Sequence, residues 1–430
     1  MKCIMITAGS SNSGKTLVNM GILRAMRNRG LNISAFKTGP DYIDTAYSAY
    51  ASGSTSGNLD IHLMGIDGLK YSLGLHESEY ATIEGAMGYF DGTHNTFENS
   101  SYDISIKLNV PAILVYSPSG EMFSAVTKIK GMVDFEDSKI IGVILNKCSK
   151  GIYEMMKPQI EKYCGVRVVG YIPKNEDYVI ESRHLGLLQP FEIERLDSVL
   201  DELAEVVESN IDLNWLIENS REVITEKYDL ENRGTVFAIA KDECFSFQYG
   251  ENIKLMEALG RIIYFSPLVD NILPDADIYI LGGGYPELYT NELSSNSSMI
   301  QSVREKAESG KKIYAYGGGL MYLASSIEGV EMCNILSGEV VMAERLQNFG
   351  YFNITLLQDS ILGQTGDVIR SKATHYSVFN TSLKPEMKLE KAGRNTISYD
   401  GYSYKNCFGS YQHINFVGNI DILLNMISEE

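Results

Sequence analysis

The chain has 430 residues, 44% of them hydrophobic and 21% charged, which fits a globular protein with two or three domains. A net charge of -18 argues against a general nucleic-acid-binding protein, because such a protein needs a basic face to neutralise phosphates. The sequence has no apolar run of 18 residues, so we expect no membrane span, and its six scattered cysteines favour reduced thiols in a cytoplasmic protein.

The first half of the chain alternates strand-like and helix-like segments. Continuous apolar strands joined by helices predict a parallel sheet with both faces covered, in an α/β domain over residues 1–195. The predicted helix covers residues 15–29 and is followed by Gly30. The predicted strands are residues 3–9, 111–117, 139–147 and 166–173.

The first motif, "GSSNSGKT" at Gly9–Thr16, matches the phosphate-loop pattern between a strand and a helix. Its backbone N–H groups would form a nest for the phosphates of ATP, with Lys15 near the β- and γ-phosphates and the Thr16 hydroxyl on Mg²⁺. The alternative is a chance glycine-rich turn. The predicted nucleotide-binding residues in this motif are Gly9, Asn12, Ser13, Gly14, Lys15 and Thr16.

The next strand ends in "FKTGPDYID", which supplies Lys37, Asp41 and Asp44. An aspartate there can bind Mg²⁺, and Lys37 can offset the charge on a phosphoryl group during transfer. A solvated turn around Pro40 is the alternative interpretation.

Two further strand ends carry polar residues. Glu84, in "TIEGAMGYFDG", would be a second carboxylate on the Mg²⁺ side. Asn146, in "VILNKC", is suited to hydrogen-bonding an adenine edge, or it simply terminates its strand. Arg183 and His184 share one loop that would suit a carboxylate ligand, unless that loop is only surface.

Residues 196–234 are charged and helical, which predicts a closing helix and a linker. A second doubly wound α/β domain is predicted over residues 235–430, from four more strand patterns. One of them, "IYAYGGGLMYL", makes a sharp turn from strand to helix. Such turns often present a serine or cysteine nucleophile, but this turn has neither.

Taken together, the motifs resemble the cobyrinic acid a,c-diamide synthase family. They are "GSSNSGKT", "FKTGPDYID", "GNLD", "EGAMGYFDG", "GVILNK", "SRHLGL", "FSPLVDNILPDAD", "LGGGYPELY" and "GSYQH". The resemblance implies a phosphate-loop amidoligase domain similar to dethiobiotin synthetase, followed by a flavodoxin-like domain of the class I glutamine amidotransferase type. It also implies that ATP phosphorylates a side-chain carboxylate of a tetrapyrrole and that ammonia attacks the acyl phosphate.

The resemblance also implies roles for particular residues. Lys15 and Thr16 take the phosphate and Mg²⁺ roles, Glu84 lies at the Mg²⁺ position, and Asn146 lies near the nucleotide base. The loop with Asp41, Tyr42 and Asp44 binds substrate and metal.

The C-terminal half departs from the family pattern. The family has Glu-Cys before Gly-Gly at the turn, with a histidine as base, whereas this chain has Tyr316 and Gly317 and keeps His413. The stretch "IRSKATHYS" keeps only one arginine and one histidine, and Asn415 stands where a second histidine is usual. Glycine cannot attack glutamine, so we expect amidation with ammonia. Cys407 is an alternative nucleophile.

The sequence therefore predicts an ATP- and Mg²⁺-dependent amidoligase acting on a tetrapyrrole polycarboxylate. A corrin, a sirohydrochlorin-type macrocycle or another polycarboxylate remains open as substrate. The alternative is a non-catalytic nucleotide-binding protein that binds a tetrapyrrole or regulates a partner. The ammonia donor and the oligomeric state, including a homodimer, stay open.

Overall fold

The computed structural model describes residues 1–175, 178, 182–183, 186–187, 193 and 195–428, without the side chains of 182–183 and 186–187. The chain forms two units. The first comprises Met1–Ile61 with Ile66–Lys227, and the second comprises His62–Gly65 with Tyr228–Glu430. None of the described helices combines the length and the apolar character that a membrane crossing needs.

A parallel sheet forms the centre of the first unit. Its strands are β1 (Lys2–Ala8), β2 (Ile33–Thr38), β3 (Ser56–Leu59), β4 (Tyr80–Glu84), β5 (Ala112–Tyr116), β6 (Ile140–Asn146) and β7 (Arg167–Ile172). They lie in the order β3-β2-β4-β1-β5-β6-β7, so the carboxyl ends of β2, β4, β1, β5 and β6 follow one another along one edge. The predicted parallel sheet is confirmed, and its apolar strands are buried as expected for a sheet covered on both faces.

The other elements of the first unit are mostly helices, together with three short strands. The helices are α1 (Lys15–Asn28), α2 (Ile43–Ser52), α3 (Ile61–Gly74, of which His62–Gly65 belong to the second unit), α4 (Ser101–Leu108), α5 (Phe123–Asp134), α6 (Lys150–Cys164), α7 (Leu196–Asn210) and α8 (Leu213–Asn219). The strands β8 (Ser182–Arg183) and β9 (Gly186–Leu187) pair with each other, and β10 (Arg221–Glu222) pairs antiparallel with the start of β1.

The helix α7 packs in the core of the first unit, within the segment for which the sequence predicts a closing helix and a linker. Its buried residues include Leu200, Leu203 and Val207, on one face of the helix. They lie close to α1, since a Cβ on Gly21 would come within 2.8 Å of Val207 Cγ2. After β10 the chain still contacts this unit, because Glu226 N donates to Lys70 O at 3.1 Å.

A second, mainly parallel sheet forms the centre of the second unit. Its strands are β11 (Thr235–Ala240), β12 (Gly260–Phe265), β13 (Ile278–Leu281), β14 (Lys312–Tyr316), β23 (Tyr402–Tyr404) and β24 (Cys407–Ser410), in the order β12-β11-β13-β14-β24-β23. Only β23 runs antiparallel to its neighbour. The helices of this unit are α9 (Gly250–Leu259), α10 (Thr290–Ser295), α11 (Ser297–Glu308), α12 (Gly318–Leu323) and α13 (Ile420–Ile427).

Two smaller sheets, which the sequence did not predict, complete the second unit. The four-stranded sheet contains β15 (Ala324–Ile327), β16 (Val330–Glu331), β17 (Leu336–Met342) and β20 (Ser377–Asn380). The five-stranded sheet contains β18 (Asn348–Leu356), β19 (Val368–His375), β21 (Met387–Lys391), β22 (Ile397–Asp400) and β25 (His413–Ile414).

Candidate functional site

The phosphate loop connects the end of β1 to the start of α1. Asn12 and Gly14 adopt left-handed backbone conformations, with φ of 62° and 81°. A Cβ on Gly14 would lie 2.2 Å from Asn146 Nδ2, so a larger residue would have to displace the Asn146 side chain and would also be strained at this φ. The loop that starts at Gly9 ends at the N-terminus of α1, where Lys15 and Thr16 are the first two residues of the helix. Backbone N–H groups at such a helix end can bind an anion.

Two side chains from neighbouring strand ends hold the loop. Asn146 Nδ2, at the end of β6, donates to Ser13 O at 3.0 Å, and Ser117 Oγ, after β5, donates to the same oxygen at 3.1 Å. The contact of Asn146 with adenine stays a prediction. In the structure its side-chain amide holds the phosphate loop through Ser13 O. Sequence reasoning missed Ser117, although its place directly after a buried strand was a signal.

We expect Asn146→Ala to weaken ATP and GTP binding by the same factor, about 3- to 10-fold, because one hydrogen bond to the shared phosphate loop is lost. Titration of both nucleotides by calorimetry measures this. Ser117→Ala, which removes the other donor to Ser13 O, should act in the same direction. A loss confined to ATP would instead identify Asn146 as an adenine contact.

A lysine and two carboxylates form a buried cluster beside the phosphate loop. Lys37 Nζ donates to Asp44 Oδ2 at 2.5 Å and to Glu84 Oε1 at 2.7 Å. Thr16 Oγ1 donates to the same Glu84 oxygen at 2.5 Å. The register of the sheet brings these groups together, because Lys37 on β2 lies opposite Glu84 on β4.

The charges in this cluster depend on one another. Burial raises the pKa of Glu84, and the Lys37 ammonium opposes that shift. Burial alone would lower the pKa of Lys37, but Glu84 and Asp44 outweigh burial and raise it. Burial first, and repulsion from Lys37 second, lower the pKa of Lys15. A bound phosphate would relieve that repulsion, so the position of Lys15 suits an anionic ligand.

The two aspartates of the next loop have different surroundings. Asp41 is exposed, and its Oδ1 accepts from Asp44 N at 2.8 Å, at the start of α2. Asp44 instead directs its carboxylate at Lys37. The turn interpretation therefore fits Asp41 better than Asp44. Tyr42, which lies between them in the sequence, is buried, and Asn58 Nδ2 supports the loop by donating to Asp41 O at 2.9 Å.

The predicted carboxylate-binding loop is only partly described. The backbone of Arg183 lies in β8, and its side chain lies outside the described part of the chain. His184 also lies outside the described residues. Their role in substrate binding stays a prediction.

The strand-to-helix turn of the second unit contains Gly317. The residue has φ 56° and ψ -115°, between the end of β14 and the start of α12. A Cβ there would lie 2.8 Å from His413 Nε2 and 3.4 Å from Gly283 Cα. A side chain at residue 317 would therefore contact His413, but glycine has no side chain that could act as a nucleophile.

Aromatic and imidazole rings fill the space beside this turn. Tyr316 donates its hydroxyl to Phe247 O at 3.0 Å, and its ring packs edge-on against His413 at 5.1 Å between centroids. Burial, together with the nearby charges of Lys372 and His375, lowers the pKa of His413 well below its usual range. His413 is therefore a neutral imidazole at physiological pH.

The position of Cys407 does not support it as a substitute nucleophile. It pairs with Ile313 at the start of β14, whereas Ser410 pairs with Tyr316 beside the turn. Cys407 is three residues from Ser410 along β24, so it lies about 10 Å from the strand end beside the turn. Burial, with a smaller effect from Glu308, raises the pKa of the Cys407 thiol to about 12, which disfavours the thiolate.

Comparison with known proteins matches both units. The family model for the CobQ/CobB/MinD/ParA nucleotide binding domain matches residues 4–187, and that for the CobB/CobQ-like glutamine amidotransferase domain matches residues 236–419. Cobyrinate a,c-diamide synthase of Clostridium acetobutylicum is 39% identical, covering 99% of this chain and 100% of that protein. The Clostridium tetani and Fusobacterium nucleatum proteins of that name are both 38% identical, covering 100% and 97% of this chain and 100% and 98% of their own lengths.

Proposed function

This chain belongs to the cobyrinate a,c-diamide synthase family, and we propose that it amidates side-chain carboxylates of a corrin-type tetrapyrrole with ATP and ammonia, without hydrolysing glutamine. The sequence identity of 38–39% to the clostridial synthases over nearly the whole chain supports ATP-dependent amidation by a ligase. The observation that carries the proposal is the juxtaposition of the phosphate loop with Lys37, Asp44 and Glu84. The phosphate-loop and acidic motifs of the first unit are complete, which favours an enzyme over a non-catalytic nucleotide-binding protein.

The residues of the cluster fit a magnesium ion. The Thr16 hydroxyl and the carboxylates of Asp44 and Glu84 are oxygen ligands, the kind that Mg²⁺ prefers. Two of these side chains already surround the ammonium of Lys37, within 2.7 Å. The described residues contain no group of three or more His, Cys, Asp or Glu side chains suited to a metal, but Mg²⁺ commonly uses one or two carboxylates with phosphates and water. When bound, Mg²⁺ supplies charge stabilisation to the transferring phosphoryl group.

The chemistry needs an activated carboxylate. A substrate carboxylate oxygen attacks the γ-phosphorus of ATP, the bond to the ADP oxygen breaks, and an acyl phosphate forms. Ammonia then attacks the acyl carbon, phosphate leaves with the bonding electrons, and the nitrogen gives up one proton to the departing phosphate or to water as the amide forms. Lys15, and Lys37 across the cluster, provide positive charge where the transferring oxygens become more negative.

The proposal is tested by incubating the protein with ATP, Mg²⁺, ammonium and cobyrinate, and detecting the amide by mass spectrometry. Hydroxylamine in place of ammonium should trap the acyl phosphate as a hydroxamate. Parallel reactions with sirohydrochlorin-type acids distinguish a corrin substrate from another tetrapyrrole. Nucleotide binding without ATP-dependent product from any of these acids would contradict the proposal.

Asp44→Asn should lower the amidation rate at least tenfold while changing ATP affinity less, because Asp44 faces Lys37 and the proposed cation site. Asp41→Asn is its matched control. The asparagine Oδ1 can still accept the hydrogen bond from Asp44 N, so this variant should leave both the melting temperature and the rate nearly unchanged. Steady-state kinetics and thermal unfolding separate the two. If Asp44→Asn alters only thermal stability, Asp44 is a turn residue.

A further inference from the structure

The ammonium of Lys37 occupies the centre of the proposed cation site. It contacts Asp44 Oδ2 at 2.5 Å and Glu84 Oε1 at 2.7 Å, and the Thr16 hydroxyl donates to the same Glu84 oxygen. Glu84 is fully buried and Lys37 is 4% exposed. The same oxygen ligands therefore face a cation that belongs to the protein itself.

We propose that Lys37 and the divalent cation exclude each other at Glu84 and Asp44, so that Lys37 holds the site in the nucleotide-free protein. This inference rests on the cation site of the proposed function. A fully buried carboxylate without a positive partner is strongly unfavourable, and in the structure Lys37 is that partner. A divalent cation would satisfy the same carboxylates, but it would repel an ammonium left between them.

The surrounding charges favour an exchange over joint occupancy. Lys15 already repels Lys37. The negative groups that face the two lysines are Asp44, Glu84, Asp41 near Lys37 and Asp91 near Lys15. At Asp44 and Glu84 themselves, a divalent cation beside the Lys37 ammonium would place three positive charges against two negative ones, unless phosphates arrive with it. Cation entry is therefore coupled to nucleotide binding, and the released Lys37 ammonium becomes free to contact a phosphate or a substrate carboxylate.

The test measures Mn²⁺ binding to the full-length protein without nucleotide, by the paramagnetic resonance signal of free Mn²⁺. Lys37→Met should bind Mn²⁺ at least tenfold more tightly than the unchanged protein. Mg²⁺ alone should raise the melting temperature of Lys37→Met, but not that of the unchanged protein, at matched ionic strength. Lys37→Gln, which keeps a hydrogen-bond donor, provides the same test if the methionine variant does not fold.

Lys15→Met is the matched control, because it removes the same charge from the same cluster without vacating Glu84 or Asp44. The logarithm of its gain in Mn²⁺ affinity should be less than half of that measured for Lys37→Met. Equal gains in both variants, or no gain in Lys37→Met and Lys37→Gln, would overturn the exclusion. Mn²⁺ binding to the unchanged protein with ATP is measured in parallel. Absence of nucleotide-dependent Mn²⁺ binding would count against the proposed function instead.

Discussion

Replacement of Lys15 with alanine should reduce ATP-dependent amidation by a factor of at least 10² to 10³ while the protein stays folded. Lys15 begins α1 at the end of the phosphate loop and is buried beside Lys37 and Glu84. Removal of a positive charge that stabilises phosphoryl transfer costs several kcal/mol in the transition state. The measurement is product formation at saturating ATP, with ATP affinity and circular dichroism determined on the same preparation.

Lys150→Ala is the control for this experiment. Lys150 begins α6, is exposed, and lies 4.0 Å from Glu154 in a surface pair, so its loss should not change turnover. Near-normal turnover of Lys15→Ala with unchanged ATP affinity would show that the loop does not serve phosphoryl transfer. A variant that loses its helical signal would instead require Lys15→Met, which retains the length of the buried side chain.

The protein should release no glutamate from glutamine, with or without ATP and substrate, whereas ammonium chloride should support amidation. The physical reason lies at the turn between β14 and α12, where Gly317 offers only backbone and His413 is a neutral imidazole without an adjacent thiol. Because neutral ammonia is the attacking species, turnover with ammonium chloride should rise between about pH 7 and 9. Glutamate release and amide formation are measured in the same reactions.

Two variants separate the possible outcomes. Stoichiometric glutamate release that disappears in Cys407→Ser would contradict the expectation and identify Cys407 as the nucleophile. Gly317→Cys, alone or with Tyr316→Glu, should recover little activity. The new Cβ would lie 2.8 Å from His413 Nε2, so the histidine must shift, and the backbone conformation with φ of 56° is strained for cysteine.

The sequence predicted the phosphate loop and its acidic neighbours because each lies in a short motif at the end of an apolar strand. It could not predict that Lys37 lies opposite Glu84, because that pairing requires β2 and β4 to be neighbours in the sheet. Strand order and register come from tertiary packing, so a local motif does not contain them. The place of Ser117 directly after a buried strand marked it as a candidate, but its contact with Ser13 on another loop could not be predicted from the local motif.

The smaller sheets of the second unit were missed although their strands have a clear pattern. In β18, Phe352, Ile354 and Leu356 are buried and alternate with less buried residues. This period of two is typical of an antiparallel strand with one covered face. The prediction relied on continuous apolar runs, which find only strands buried on both faces. The two mainly parallel sheets were therefore predicted, and the smaller sheets, one mixed and one antiparallel, were not.

The packing of α7 against α1 determines which segment of the chain can be transferred or fused as one folding module. A piece ending at residue 195 would lack Leu200, Leu203 and Val207, which cover the core side of α1, and would expose that apolar surface to association. It would also lack β10, the antiparallel neighbour of β1. The smallest module that retains its own core therefore ends at Lys227, forty residues beyond the end of the match to the nucleotide-binding family model at residue 187.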